Sequence, residues 1–439
     1  MKIKSTQHTL FIKLGLSIKC RLSSSLFIMM LYVVVTSCTG FGPQNTDMPV
    51  FMDRAATRSN GGLSISVAVP TADEAKMIYG VDLHKKQIQP IWLKIRNNTD
   101  HKYWLLPSGM DPEHFSPSET AFGFHGNSAK INQEIDAHFR NLHFKNPIKS
   151  NTTKEGYLLL NLDEGFKAVD IDLLSQNSVE SFTFIFEDPE FKGDYRLIDF
   201  KGLYDEKDII TIENEEAFRQ AIESLPCCTT SSNGNKNGDP INVILVGNFQ
   251  DIGAALVRRN WHATEIIWSK AIWRTIRSFF KNERYRYSPV SPLFVYGRRQ
   301  DMAWQKAIGN INRRNHMRIW LSPIRYQGKS VFVGQISRDI GVKFTIRSST
   351  ISTHIIDPDV DEARRYLNED MFYSQAVSKF GFVKGVGVID KDNPKMNLGG
   401  DPYYTDGLRV VLFFNTRPYS LSDIEVENWE NPQAISKDD

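Results

Sequence analysis

Cysteine is scarce in this chain, with four in 439 residues. Cys20 and Cys38 stand near the N-terminus, so only the adjacent Cys227 and Cys228 remain for a folded body. No further ligands of zinc-like spacing stand near that pair. Adjacent cysteines rarely bond each other, because the eight-membered ring strains the peptide between them, so plain burial is expected. Long apolar runs are also lacking. The main one, Leu26 to Val35, is about ten residues, well short of the ~20 that span a bilayer as a helix. A surplus of charge is missing too: 53 Lys and Arg against 51 Asp and Glu predicts no acidic partner by itself. Gly-x-Ser-x-Gly, His-Glu-x-x-His and Cys-His pairings are absent. Gly247 to Gly253 lacks the glycine spacing of a dinucleotide or phosphate loop.

No acidic residue precedes Asp47, whereas Lys2, Lys4, Lys13, Lys19 and Arg21 do. Basic residues, a short apolar stretch and the small-residue ending Val35-Thr36-Ser37-Cys38 have the layout of an export signal. The ending resembles a bacterial lipobox, which implies acylation of Cys38, a membrane partner reached through that lipid, and a place in the cell envelope. Thr39 is not the Asp that often retains such proteins at the inner membrane, which points to the outer one.

Hydrophobic and charged contents of 41% and 24% are those of globular domains. The spacing of strands and turns divides the chain into a signal (1–37), a polar tether (38–61), a β-sandwich of immunoglobulin-like type (62–212), a helix and linker (213–238), a mixed-sheet α/β domain (239–415) and an acidic tail (416–439). Alternation in Leu63–Val69, Ile91–Ile95 and Phe182–Phe186, and the apolar run Tyr157–Leu162, predict half-buried strands of the sandwich. A helix is expected near Asn132–Phe144. Asn214 is placed to cap a helix reaching Leu225. Thr229–Gly238 (TTSSNGNKNG) has no apolar residue and reads as a linker.

Ile241–Val246 reads as a strand covered on both faces. Helices are expected at Gln250–Asn260, Trp268–Phe280 and Asp359–Tyr373. Strands are expected at Leu293–Tyr296, Met317–Leu321, Val331–Ile336 and Leu408–Phe414. The overall fold class is α+β or α/β mixed.

The segments Ser288–Lys306 (SPVSPLFVYGRRQDMAWQK), Arg313–Trp320 and His354–Asp361, with Pro226-Cys227-Cys228-Thr229 and Gly238–Asn242 ahead of them, resemble the LssY C-terminal domain family over roughly residues 226–415. The resemblance implies no catalytic residues. The family is named for a domain of unknown function. It occurs behind membrane portions similar to DedA-type and lipid-phosphatase proteins, and in predicted lipoproteins. This chain has no multi-span region, so a phosphatase label does not carry over with the resemblance.

Two constellations could carry chemistry. His354, Asp357, Asp359 and Asp361 fall within eight residues and could hold a divalent cation. Helix capping competes as an explanation, with Asp357 as N-cap, Pro358 at the first helical position, and Asp359 and Asp361 against the dipole. The second is basic. Between Arg258 and Arg347 stand 19 Lys or Arg and four acids, and after Arg347 stand 16 acids and nine bases. Along a strand Arg314, His316 and Arg318 share one face, close in sequence to Arg298, Lys306 and Arg313, as a cradle for an anion. If the two constellations converge, phosphoester chemistry follows, with His316 or His354 moving protons and Asp357 assisting. The expectations are therefore binding of an anionic envelope ligand, with metal-assisted phosphoester hydrolysis and a structural role as alternatives. Partners are anionic lipid or another envelope protein, and nucleic acid is excluded because an exported protein seldom meets it.

Overall fold

Strand alternation builds the N-terminal half of the computed structural model, which describes residues 41–43, 51–188, 191–265, 289–307, 314–344 and 352–432. The strands β1 (Ala56–Asn60), β2 (Leu63–Ala68), β3 (Ile88–Asn97) and β5 (Thr152–Asn161) form one antiparallel sheet in the order β1-β2-β3-β5. A second sheet has the order β4 (Trp104–Leu105), β6 (Phe166–Ser175) and β7 (Ser178–Glu187). Every second residue of these strands enters one core: Leu63, Ile65 and Val67; Ile91, Leu93 and Ile95; Val169, Ile171 and Leu173; Phe182 and Phe184. Sheet-on-sheet packing is thus present, but these strand orders do not establish the immunoglobulin-like sandwich expected. Trp92 and Tyr157, on the far face of β3 and β5, are buried as well. Phe51 packs on Trp92. Tyr79, from helix α1 (Ala72–Tyr79), packs on Tyr157 and on Phe139 of helix α3 (Ala129–Leu142), with α2 (Pro117–Phe122) beside α3. An alternating strand pattern reports one buried face and is silent about a second one covered by aromatics.

The C-terminal half is organised on a ten-stranded mixed sheet. Its central path contains β12 (His262–Ala263), β15 (Met302–Ala307), β16 (Arg314–Tyr326), β17 (Lys329–Phe344), β11 (Val243–Val246), β22 (Leu408–Phe414), β19 (Val377–Lys384) and β23 (Glu425–Val426). β8 (Ile210–Ile212) joins β16, and β18 (Ser352–Ile356) joins β17. β11 runs parallel to β22 and antiparallel to β17, so the run Val243–Val246 is central and apolar on both faces. Ile244 and Val246 meet Phe218 and Ile222 of α4 (Glu215–Glu223) on one side. Val243 and Leu245 meet Ile252, Ala255 and Leu256 of α5 (Phe249–Arg258) and Leu367 and Met371 of α6 (Val360–Phe372) on the other. No helix among the described residues is long and apolar enough to cross a membrane.

Several local expectations are revised. Thr229–Gly238 is not an open linker, because β9 (Cys228–Thr230) and β10 (Asn237–Pro240) pair across it as a hairpin. That hairpin extends through β13 (Phe294–Val295) to β14 (Arg298–Arg299). Its polar residues lie in the turn, where Gly234 N–H donates to the Ser231 carbonyl. Cys227 and Cys228 are joined to each other, and Cys228 is buried. A small pair, β20 (Lys395–Met396) and β21 (Pro402–Tyr403), lies between β19 and β22.

The described residues from Pro43 onward make one compact unit. Phe166 and Phe191 belong to the same core as Trp304, Met317 and Leu412. Even-numbered β6 residues face away from their own core, and there Asp170 accepts from Arg258 Nε (2.5 Å) and Nη2 (2.6 Å) and from Arg417 Nε (3.0 Å). Asp172 accepts from Arg417 Nη2 at 2.9 Å. Two guanidinium groups of the C-terminal half thus close on two carboxylates of the N-terminal half.

Candidate functional site

The register of three strands assembles a polar face. Gln305 of β15 stands opposite His316 of β16, and Arg314, His316 and Arg318 stand opposite Asp339, Ser337 and Gln335 of β17. Arg314, His316 and Arg318 share one face and Met317 and Ile319 the other, as the alternation predicts. All six side chains of the two facing rows are buried, between 0% and 7% exposed. The row is therefore enclosed rather than open to solvent. Arg314 donates from Nη1 to Gln305 Oε1 at 2.7 Å and from Nε to Asp339 at 3.4 Å, and His316 Nε2 lies 3.3 Å from the same carboxylate.

Burial dominates the electrostatics here. It raises Asp339 to about 7 despite Arg314 and Arg318, which act to lower it. Asp239 and Asp194, which lie near Arg318, are also raised by burial, and Arg314 and Arg318 are pushed down by it. Asp339, raised toward neutrality, thus stands 3.3 Å from the His316 imidazole.

The remaining basic residues do not join this face. Lys306, Asn315 and Arg338 form the next row, on the opposite side of the sheet. There Lys306 Nζ bonds Asp370 at 2.8 Å and, like Arg338, lies over the Tyr366 ring. Arg298 grips Asp301 with both Nε and Nη2 at 2.9 Å and also donates to Tyr204 Oη and the Leu321 carbonyl. These contacts tie β14 to β16 and to Tyr204. Period-two alternation sends Lys306 and Arg314 to opposite faces once they pair one residue out of step. Arg313, Cys38 and the expected helix Trp268–Phe280 lie outside the described residues.

Asp357, Asp359 and Asp361 are each engaged locally. The helix cap is Asp359 rather than Asp357, since its Oδ1 accepts from Asp361 N–H. Sheet-like pairing continues through this segment: the Asp357 N–H donates to the Arg338 carbonyl and the Tyr404 N–H to the Pro358 carbonyl. The helix therefore opens at Val360, and Asp357 Oδ1 accepts from Asp359 N–H. Asp361 instead accepts from Thr405 Oγ1 and Asp406 N–H, beside Arg364. Among the described residues no group of three His, Cys, Asp or Glu side chains could hold a metal ion. His354 pairs with Val342 and His316 with Ser337. These positions are five residues apart along β17, roughly 16 Å at strand spacing. His354 is therefore set well apart from His316 along the sheet, whereas Asp357 ends beside Arg338.

Sequence reading missed Gln305, Gln335, Asp339, Asp239 and Asp194. A signal existed in β17, where Gln335, Ser337 and Asp339 interrupt a Val/Ile strand at every second position. That pattern predicts a polar face, and only the register with β16 makes it the face of Arg314 and Arg318.

Fold and site define a mixed-sheet α/β body with a buried, charged row at one end of its sheet. Residues 219–408 match the family model of the LssY C-terminus, so the chain carries an LssY-like C-terminal domain. The match begins inside α4 and ends on the first residue of β22. It leaves out Asp194, Phe166 and Phe191, which pack into or face that domain. No curated protein matches the chain.

Proposed function

We propose that the protein is a bacterial envelope lipoprotein, anchored through Cys38, that binds a phosphate-bearing envelope ligand at the face of Arg314, His316 and Arg318. The carrying observation is the burial of these three side chains in one row. Charged groups are costly to enclose without a matching counter-charge, and perturbed titrating groups concentrate at functional sites. Within this row Arg318 meets only uncharged acceptors, the Ser291 carbonyl and Gln335 Oε1, which leaves its charge open to a phosphate. Basic residues before an apolar stretch and Val35-Thr36-Ser37-Cys38 support the anchor, and the shared core of two sheets supports a sandwich-like N-terminal half.

Native mass spectrometry of protein purified from a bacterial periplasm tests the reading. A copurifying phosphate-bearing molecule, lost in Arg314→Gln, is the expected result, and a bare protein in both cases would refute it. Radiolabelled palmitate should enter the wild type and not Cys38→Ala. The His316–Asp339 pair favours a second reading, phosphoester hydrolysis. Turnover of a phosphoester abolished by His316→Gln would establish it over simple binding.

A further inference from the structure

Within the polar face, one pair of side chains has donors that the fold leaves unmatched. Arg318 is 7% exposed and Gln335 fully buried, and the two are cross-strand partners. Arg318 donates from Nε to the Ser291 carbonyl at 3.0 Å and from Nη1 to Gln335 Oε1 at 2.9 Å. Neither acceptor carries a charge, and no carboxylate among the described residues reaches ion-pairing distance of this guanidinium. Asp239, Asp339 and Asp194 influence it only from further off. Beside it, Gln335 Nε2 is buried with no hydrogen-bond partner among the described residues.

A guanidinium without a contact anion and an amide donor without an acceptor, side by side, are both costly to bury. Both costs are relieved by the same object, an oxyanion that accepts from Arg318 and Gln335 together. The surroundings set its charge. Arg314 already has Asp339, and Arg299 has Asp194 at 3.4 Å. Asp239 also reaches Arg318 electrostatically. Arg318 is the cation left over, and one uncompensated cation calls for one negative charge. A second would meet the field of these carboxylates at low dielectric.

We propose that Arg318 and Gln335 hold a singly charged oxyanion, a phosphodiester, and disfavour the doubly charged phosphate monoester. The assignment rests on the anion reading of the same face and narrows it to one ligand class. It also makes Asp194, which lies before the family-matched segment, a determinant of ligand charge.

Isothermal titration with glycerophosphoglycerol, a diester, and glycerol 3-phosphate, a monoester, tests it at pH 7.5, alongside sedimentation with phosphatidylglycerol vesicles. The diester should bind at least tenfold more tightly than the monoester. Vesicle binding that is lost in Arg318→Lys, with no binding of the free diester, would equally support the site and identify lipid as the source of the group. Gln335→Leu and Arg318→Lys should each weaken binding tenfold or more.

Gln335→Glu gives a readout independent of ligand choice. A carboxylate built into the chain supplies the missing anion, so Tm should rise while diester binding is lost. A lowered Tm in Gln335→Glu would overturn the claim that Arg318 lacks a partner. A monoester bound as tightly as the diester, with both weakened by Arg318→Lys, would overturn the charge discrimination and leave the anion site standing. No binding of either anion or of vesicles would remove both.

Discussion

Asp170→Asn is the most informative single perturbation of the fold. The carboxylate accepts from Arg258 through two nitrogens at 2.5 and 2.6 Å, from Arg417 at 3.0 Å and from Thr183 Oγ1 at 2.7 Å. Its side chain is 5% exposed, and those of Arg258 and Arg417 are 16% and 4% exposed. Although burial acts to raise it, the two arginines and Thr183 hold Asp170 below the ordinary carboxylate range. Asparagine keeps the shape and removes the charge, leaving Arg258 without a contact carboxylate and Arg417 with Asp172 alone. Removing one partner of a buried pair costs about 3–5 kcal/mol, against ~0–1 kcal/mol for an exposed pair. The expected loss is therefore about 3 kcal/mol or more, read as a lower urea midpoint at pH 7.

The sign with pH follows from the depressed value. Asp170 contributes stability above the ordinary carboxylate pKa, and that stability is lost as pH falls through its lower folded-state value. Wild type and Asp170→Asn should thus converge in acid. A loss below about 1 kcal/mol at pH 7, or a difference that persists at pH 2, would refute the reasoning that this cluster joins the two halves.

Three further outcomes follow from the same geometry. Asp339→Asn should cost much less at pH 7 than Asp170→Asn. Asp339 is raised to about 7, so its contribution is full below the ordinary carboxylate pKa and declines as pH rises through 7, and wild-type urea stability should fall over that window while the variant's stays flatter. Gly385→Ala should destabilise by roughly 1–3 kcal/mol in thermal unfolding. Gly385 has φ +141°, and a Cβ there would lie 2.8 Å from the Cζ of Arg409. That guanidinium is fully buried and donates to the carbonyls of Ile222, Leu225 and Pro226 around the end of α4, and to that of Gly385 after β19. A fragment of residues 219–408 should show no cooperative thermal transition by circular dichroism, because it lacks Phe166, Phe191 and most of β22.

Elements with strong local signals are legible in the amino-acid sequence. β22 occupies Leu408–Phe414 as expected, Asn214 caps α4, and Asp359–Tyr373 brackets α6. Those signals are short-range: β-branched runs, an Asx side chain before a helix, period-3.6 burial. The facing of Arg314, His316 and Arg318 is legible for the same reason, since alternation along one strand is a property of that strand.

What the amino-acid sequence determines by itself is therefore the elements, the shared side of the arginine row, and the resemblance of the C-terminal half to a known family. What only the tertiary structure decides is who faces whom. Register sends Lys306 to the far side of the sheet, pairs Arg318 with Gln335, and places Asp339 rather than any residue of the Asp357–Asp361 run beside His316. Enclosure then raises Asp339, an ordinary aspartate along its strand, to about 7. Desolvation and counter-charge depend on neighbours distant along the chain, and no local pattern records them.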